Sequence, residues 1–172
     1  MNDFFNTYKY LAEGLIKQIN AKYILEIGLG QGTTTRVCLE YLKQKNEGRY
    51  TAIDFDPPKN GLDILNEYDK NLWELRVGDT TKDDNVFQNF HDKRNDVILI
   101  DGSHWWTHVA QDIHKLIIYG CAKPETIFLF HDSEGSHTRH GIAEACKNLR
   151  IDLFEIIKGN VIIGKLKDLS CI

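Results

Sequence analysis

Two patterns of apolar and polar positions alternate along the chain. Short apolar runs, typical of strands buried in a sheet, are each followed by a stretch with helical spacing. Strands are predicted at residues 23–27, 49–55, 71–79, 96–101, 125–132, 153–159 and 160–166. Helices are predicted at residues 3–20, 33–45, 60–70, 83–91, 104–119 and 138–148.

This order predicts an α/β fold built on a doubly wound sheet of seven strands. Alternating strands and helices imply mainly parallel strands, with helices on both faces of the sheet. The last two strands are joined through Gly159 and Asn160, a hairpin-type turn, so one C-terminal strand should run antiparallel. A length of 172 residues fits a single domain, residues 1–172, of which residues 1–20 form a lead-in helix.

Composition and charge narrow the range of partners. A net charge of −4 and a pI near 6.0 predict no nucleic-acid partner. The N-terminal residues lack the pattern of a secretory signal, and no apolar run reaches membrane-spanning length. Together with scattered cysteines that form no CxxC pair, these features predict a cytoplasmic protein without a membrane partner.

The segment YILEIGLGQGTTT, residues 23–35, carries the strongest signal for ligand binding. An apolar strand leads into three alternating glycines and then into a helix that opens with threonines. Glycines suit a tight turn in which a ligand approaches bare backbone. The helix start beyond them offers free N–H groups to an anionic ligand group.

Polar residues also follow each of the later strands. In an open parallel sheet, ligands bind at the carboxyl ends of the strands. The residues concerned should therefore converge with the glycines at one edge: Asp54, Asp79, Asp101, His131 and Asp132.

The order of the motifs EIGLGQG, AIDFD, VGD, LIDGSHWW and FLFHD resembles the class I S-adenosylmethionine-dependent methyltransferases, which have a Rossmann-like fold. The DGSH and HD motifs resemble those of a small O-methyltransferase-like branch. That branch includes macrocin-type sugar methyltransferases and cephalosporin-hydroxylase-like proteins. The resemblance covers residues 20–166 and implies an enzyme that methylates a hydroxyl group of a small molecule or sugar.

The resemblance also implies contacts with the methionine part of S-adenosyl-L-methionine. Glu26 is expected to orient the glycine loop and the methionine amino group. Three glycines, Gly28, Gly30 and Gly32, are expected to line the methionine end. Asp101 is also expected to bind the cofactor.

The remaining cofactor contacts are expected on the nucleoside part. Asp54, 22 residues after Gly32, can accept hydrogen bonds from both ribose hydroxyls, and Asp56 is a weaker competitor for that role. Asp79 matches the position that meets the adenine amino group. Trp105, or alternatively Trp106, can pack on adenine.

Proton removal from the acceptor is expected to involve His104, with Asp101 as a second catalytic residue. Metal-dependent relatives take their ligands from the ends of the fourth and fifth strands. Those positions are Asp101, His131 and Asp132 here, so a divalent metal, Mg or Mn, is a possible cofactor. The imidazole of His131 departs from the family pattern.

Other interpretations of the sequence remain open at this point. A nicotinamide oxidoreductase is less favoured, because Thr33 replaces the glycine that would close a GxGxxG motif. A non-catalytic protein that binds nucleosides is an alternative, and a homodimer would complete an open acceptor site. His108 and His114 are interpreted as structural rather than as zinc ligands.

Overall fold

The computed structural model describes residues 3–90, 94–103, 105–131, 136–149, 151–156 and 161–166. They contain the helices α1 (Asp3–Gln18), α2 (Thr33–Lys45), α3 (Lys59–Asn66), α4 (Trp106–Ile118) and α5 (Ser136–Leu149). The strands are β1 (Tyr23–Ile27), β2 (Arg49–Asp54), β3 (Trp73–Val77), β4 (Asn95–Ile100), β5 (Ala122–Phe130), β6 (Ile151–Ile156) and β7 (Val161–Leu166).

The strands form one seven-stranded sheet in the order β3-β2-β1-β4-β5-β7-β6. The first five strands are parallel, and β7 pairs antiparallel with both β5 and β6. The predicted doubly wound fold with an antiparallel C-terminal strand is confirmed. The Gly159–Asn160 turn predicted to join the last strands lies outside the described residues.

The side chains of each strand pack alternately into two hydrophobic layers, one on each face of the sheet, because successive residues of a strand point to opposite faces. In β4, Ile98 and Ile100 pack with α4 and α5, whereas Val97 and Leu99 pack with α1 and α2. Both faces are therefore covered by helices, which explains why β4 contains an unbroken apolar run.

One predicted helix is replaced by a much shorter element. The segment predicted as helix 83–91 holds a single 3₁₀ turn, Asp84–Phe87, which the side chain of Asp83 caps by accepting a hydrogen bond from the Asn85 N–H at 3.0 Å. Asn89 has a φ of 62°, which ends helical geometry. Burial of Val86 and Phe87 anchors the segment to the core without a longer helix.

Strand β5 starts three residues earlier than predicted, despite Pro124. The register between β4 and β5 shifts between Asn95 and Val97, and Glu125 has a φ of 76°. This irregularity accommodates a proline, which has no N–H to donate to the sheet.

No helix among the described residues is both long and apolar enough to cross a membrane.

Candidate active site

The strand order reverses between β1 and β4, whose following connections lead to opposite sides of the sheet. Such a switch point leaves a crevice at the carboxyl ends of the strands. A cavity of about 590 Å³ lies there, a volume typical of small-molecule sites. Its lining includes three of the predicted acids, Asp54, Asp79 and Asp101, so their predicted convergence is confirmed.

The glycine loop has a different steric constraint at each of its glycines. Gly28 has a φ of 90°, and a Cβ atom there would lie 2.2 Å from the backbone oxygen of Asp101. A Cβ on Gly32 would meet Ile64 Cδ1 at 2.6 Å, whereas one on Gly30 would meet no heavy atom within 4 Å. Gly30 and Gly28 line the cavity. The space at Gly30 is therefore open to a ligand, and Gly28 is required by the packing of β1 against β4.

A fourth glycine, Gly61, belongs to the same arrangement. It lies inside α3, and a Cβ there would come within 2.7 Å of the Gly30 backbone oxygen. The sequence analysis did not single it out, because a helical glycine gives no local signal of a tertiary contact.

Glu26 is buried below the cavity and is 2% exposed. Its Oε2 atom accepts hydrogen bonds from the Thr35 hydroxyl, at 2.8 Å, and from the Tyr50 hydroxyl. Burial raises the pKa of Glu26 to about 8, and the negative charges of Asp101 and Asp54 act in the same direction. This carboxyl group is therefore largely protonated in the ligand-free protein at neutral pH.

The raised pKa of Glu26 makes stability depend on pH. Its pKa rises from 4.5 in the unfolded chain to about 8 in the folded protein, so the folded state binds more protons in this window. The free energy of unfolding should fall as pH rises from about 4.5 to about 8, by up to about 1.4 kcal/mol per pH unit. The Glu26→Gln variant should flatten this slope, as measured by urea unfolding at pH 5, 6, 7 and 8 (roughly one-unit steps). Equal slopes in both proteins would contradict the assignment.

Asp54 supports the glycine loop as well as lining the cavity. Its Oδ2 accepts a hydrogen bond from the Leu29 N–H at 2.7 Å, and its Oδ1 accepts one from the Asp56 N–H at 2.9 Å. A carboxylate has about four acceptor positions, so two remain for a ligand. Asp56 itself is exposed and is not part of the cavity lining, which favours Asp54 over Asp56 as the ligand-binding acid.

Asp79 opens a tight turn after β3. Its carboxylate accepts hydrogen bonds from the Lys82 ammonium at 2.8 Å, and from the Thr81 hydroxyl and N–H at 2.6 and 2.9 Å. These bonds, that of Lys82 first, hold the pKa of Asp79 well below its ordinary value. Asp79 therefore remains ionised and both shapes the turn and presents an acceptor at the end of the cavity.

Asp101 faces the buried imidazole of His131 across the ends of β4 and β5. The His131 Nδ1 atom lies 2.8 Å from Asp101 Oδ1, and the His131 ring packs edge-on against Tyr8 at 4.5 Å. The Asp101 side chain is 31% exposed, so it also faces the cavity.

The predicted metal site is not supported by the described residues. They contain no group of three or more His, Cys, Asp or Glu side chains arranged to hold an ion. Asp101 Oδ1 lies 2.8 Å from His131 Nδ1, and no third side chain of these types joins this pair among the described residues. The third predicted ligand, Asp132, lies outside the described residues.

His104, the predicted base, also lies outside the described residues, but the residues on either side of it are described. Ser103 and Trp105 both line the cavity. His108, which the sequence analysis interpreted as structural, lines the cavity too, and its Nδ1 atom lies 2.9 Å from the Ser103 hydroxyl oxygen. Its position one turn after His104 on a helix that leaves the strand edge is the signal that could have found it.

Two aromatic–imidazole pairs join the start of α4 to the start of α5. Trp105 packs against His137 with ring centroids 5.4 Å apart, and Trp106 packs against His140 at 5.1 Å. Trp105 is 63% exposed at the cavity, whereas Trp106 is not part of its lining. Of the two tryptophans considered for adenine, the geometry favours Trp105. Phe55, which the sequence analysis did not consider, also lines the cavity and is 74% exposed.

The chain belongs to a family described as "methyltransferase domain", whose model matches residues 25–133. The matched segment runs from β1 to just beyond β5 and thus contains the whole cavity edge. This membership confirms the prediction of an S-adenosylmethionine-dependent methyltransferase. The sequence matches no curated protein significantly.

Three solved structures with the same fold are named as methyltransferases and have low sequence identity to this chain. An O-methyltransferase family protein from Burkholderia thailandensis has a TM-score of 0.70 and 14% identity over 96% of this chain and 57% of its own. A Podospora anserina methyltransferase, PaMTH1, bound to S-adenosylhomocysteine, has a TM-score of 0.71 and 15% identity over 93% of this chain and 78% of its own. CalS11, a TDP-rhamnose 3'-O-methyltransferase of calicheamicin biosynthesis, has a TM-score of 0.70 and 13% identity over 97% of this chain and 82% of its own.

Proposed function

We propose that this methyltransferase transfers the methyl group of S-adenosyl-L-methionine to a hydroxyl group of a small molecule or sugar. The observation that carries the proposal is the acidic cavity at the switch point of the sheet. Three carboxylates line it, and its described lining contains no lysine or arginine. A site of this charge favours a ligand that carries a sulfonium and an ammonium group.

The same charge argues against the nicotinamide alternative. A dinucleotide cofactor carries a pyrophosphate, which is normally bound by free N–H groups or by cationic side chains. Three carboxylates along the same cavity would repel that anion.

The proposed orientation of S-adenosylmethionine places the methionine part at Gly28 and Gly30, the ribose at Asp54 and the adenine between Asp79 and Trp105. Gly32 and Glu26 do not line the cavity, so their proposed role is to support the glycine loop rather than to contact the ligand.

Methyl transfer needs an acceptor oxygen in line with the sulfonium and a base for its proton. We assign the base to His104 because its sequence position is next to Ser103 and Trp105, which both line the cavity. Asp101 is the second catalytic residue, since its carboxylate reaches the cavity and pairs with His131. No step in this scheme requires a metal.

The acceptor class rests on the resemblance to macrocin-type enzymes and on the fold shared with CalS11. The protein is proposed to act as a homodimer, in which a second subunit would complete the open acceptor site. Gel filtration distinguishes a monomer from a dimer.

Calorimetric titration with S-adenosylhomocysteine tests the cofactor assignment. We expect one-to-one binding with a dissociation constant in the micromolar range, roughly −8 kcal/mol, because a cavity of this size buries most of such a ligand. The titration is repeated with NAD, and with Mg or Mn added, as comparisons. No binding of S-adenosylhomocysteine to folded protein would overturn the proposal.

The non-catalytic alternative is tested after binding is established. The protein is incubated with methyl-labelled S-adenosylmethionine and a set of sugars and phenols, and label transfer is measured. Transfer that is lost in the His104→Ala variant while S-adenosylhomocysteine affinity is kept would support the assigned base. Binding without transfer to any acceptor would favour the non-catalytic interpretation.

A further inference from the structure

His108 is held at the edge of the cavity by a hydrogen bond to Ser103. Its Nδ1 atom lies 2.9 Å from the Ser103 hydroxyl oxygen, and both residues line the cavity. The His108 N–H donates to the Trp105 backbone oxygen at 3.0 Å, which places this half-buried residue on the first turn of α4. One side-chain contact and one backbone contact therefore fix the position of the imidazole.

His108 shares a helix face with the residue that binds the turn after β3. Lys115 follows it by two helical turns and donates to the Thr80 backbone oxygen at 2.7 Å. Asp79, Thr80 and Thr81 of that turn line the cavity together with His108. His108 therefore lies at the end of the cavity where the proposed function places the adenine of S-adenosylmethionine.

The partners of the Ser103 hydroxyl indicate which nitrogen of His108 carries a proton. The hydroxyl oxygen accepts a hydrogen bond from the Trp105 N–H at 3.4 Å. Its own proton needs an acceptor, and the only acceptor bonded to it in the described part of the chain is His108 Nδ1. In a neutral imidazole whose Nδ1 accepts, the proton is on Nε2. Nε2 has no hydrogen-bond partner among the described residues, so it is a free donor at the cavity.

We propose that His108 donates from Nε2 to a ring nitrogen of adenine, and that Ser103 holds the imidazole in the orientation and tautomer for this contact. The inference rests on the proposed function, which assigns the amino group of the base to Asp79 and its face to Trp105. The ring nitrogens of adenine are hydrogen-bond acceptors. A donor at His108 supplies the partner that such an acceptor loses when the cavity removes it from water.

A brace for the start of α4 is the alternative role of the hydrogen bond between Ser103 and His108. Trp105, the N-cap residue of this helix, makes no side-chain cap hydrogen bond, so a second contact would stabilise the first turn. Such a brace requires only Nδ1, whereas recognition of adenine requires Nε2. The two roles therefore predict opposite results for side chains that retain one of these positions and lose the other.

The test measures how much each ring nitrogen of the ligand contributes to affinity. Calorimetry on the intact chain compares S-adenosylhomocysteine with three analogues in which N1, N3 or N7 of the base is replaced by CH. The wild-type protein should bind at least one analogue about tenfold more weakly than S-adenosylhomocysteine. In His108→Asn, whose amide lies near the Nδ1 position, the difference for one such analogue should shrink to less than about twofold.

His108→Gln and His114→Asn complete the comparison. Glutamine loses the Ser103 contact but carries an amide near the Nε2 position, so most of the difference between the ligands should be kept. His114 is exposed on the same helix and does not line the cavity, so His114→Asn should leave all the affinities unchanged. A role in bracing alone predicts the reverse order, with wild-type affinities in His108→Asn and weaker binding of every ligand in His108→Gln.

Thermal unfolding reports whether each variant folds. If His108→Asn does not fold, His108→Phe, which keeps a ring but lacks both nitrogens, takes its place with the same expected result. Equal affinity of the wild-type protein for all the ligands, or a difference that the His108 variant leaves unchanged, would overturn the inference and leave the proposed function intact. Absence of S-adenosylhomocysteine binding to the wild-type protein would instead overturn the proposed function, and the inference with it.

Discussion

Replacing Gly28 with alanine is expected to destabilise the fold by roughly 3 to 5 kcal/mol. The new Cβ atom would lie 2.2 Å from the Asp101 backbone oxygen, and the residue has a φ of 90°, which side-chain-bearing residues rarely adopt. The Gly28 N–H also donates to the Ile53 oxygen at 2.9 Å, so the loop cannot move away without breaking the sheet edge. Thermal unfolding should show a midpoint lowered by about 10 °C.

Gly14→Ala and Gly30→Val serve as matched controls for this prediction. Gly14 is exposed on α1 with open space for a Cβ, so alanine there should keep or slightly raise stability. Gly30 also has open space, but its φ of 48° strains any residue with a side chain, so Gly30→Val should lose roughly 1 to 3 kcal/mol of stability. Because Gly30 lines the cavity, the variant should also lose S-adenosylhomocysteine binding. A Gly28→Ala midpoint equal to that of wild type would show that β1 and β4 can separate at this point.

The fold was largely predictable because each strand and turn imposes its own requirements on the residues within it. Buried strands such as β4 need apolar residues on both faces, so they appear in the sequence as continuous apolar runs. The turns after them need glycines or acids, so these residues appear at the ends of the runs. The convergence of Asp54, Asp79 and Asp101 then follows from a general property of parallel sheets. The 3₁₀ turn at Asp84–Phe87 was mistaken for a helix because its buried Val86 and Phe87 are followed by buried Phe90, and these three positions have the i, i+3 and i+4 spacing of a helix.

The parts of the site that sequence reasoning missed depend on tertiary contacts. His108 reaches the cavity only because α4 starts beside Ser103, and Gly61 is needed only because α3 approaches the Gly30 oxygen. Spacing within a helix shows which residues share a face, but not what that face will meet.

Asp54→Ala is expected to lower the affinity for S-adenosylhomocysteine by at least about a hundredfold. The change removes two acceptor positions proposed for the ribose hydroxyls, and it removes the partner of the Leu29 N–H, which holds the glycine loop at 2.7 Å. Asp54→Asn retains an acceptor for Leu29 but loses the charge, so its affinity should fall by about tenfold. Calorimetric titration of each variant gives the dissociation constants.

Asp56→Ala is the control that shows which of the two acids binds the ligand. Asp56 is a neighbouring acid of the same motif, but it is exposed and contacts Asp54 only through its backbone N–H, at 2.9 Å. Its side chain should therefore be dispensable, and the variant should bind as tightly as wild type. A larger loss in Asp56→Ala than in Asp54→Ala would move the ribose contact to Asp56. Equal and undiminished affinity in all three variants would place the ligand outside the cavity, since Asp54 lies between the glycine loop and Asp79 along its edge.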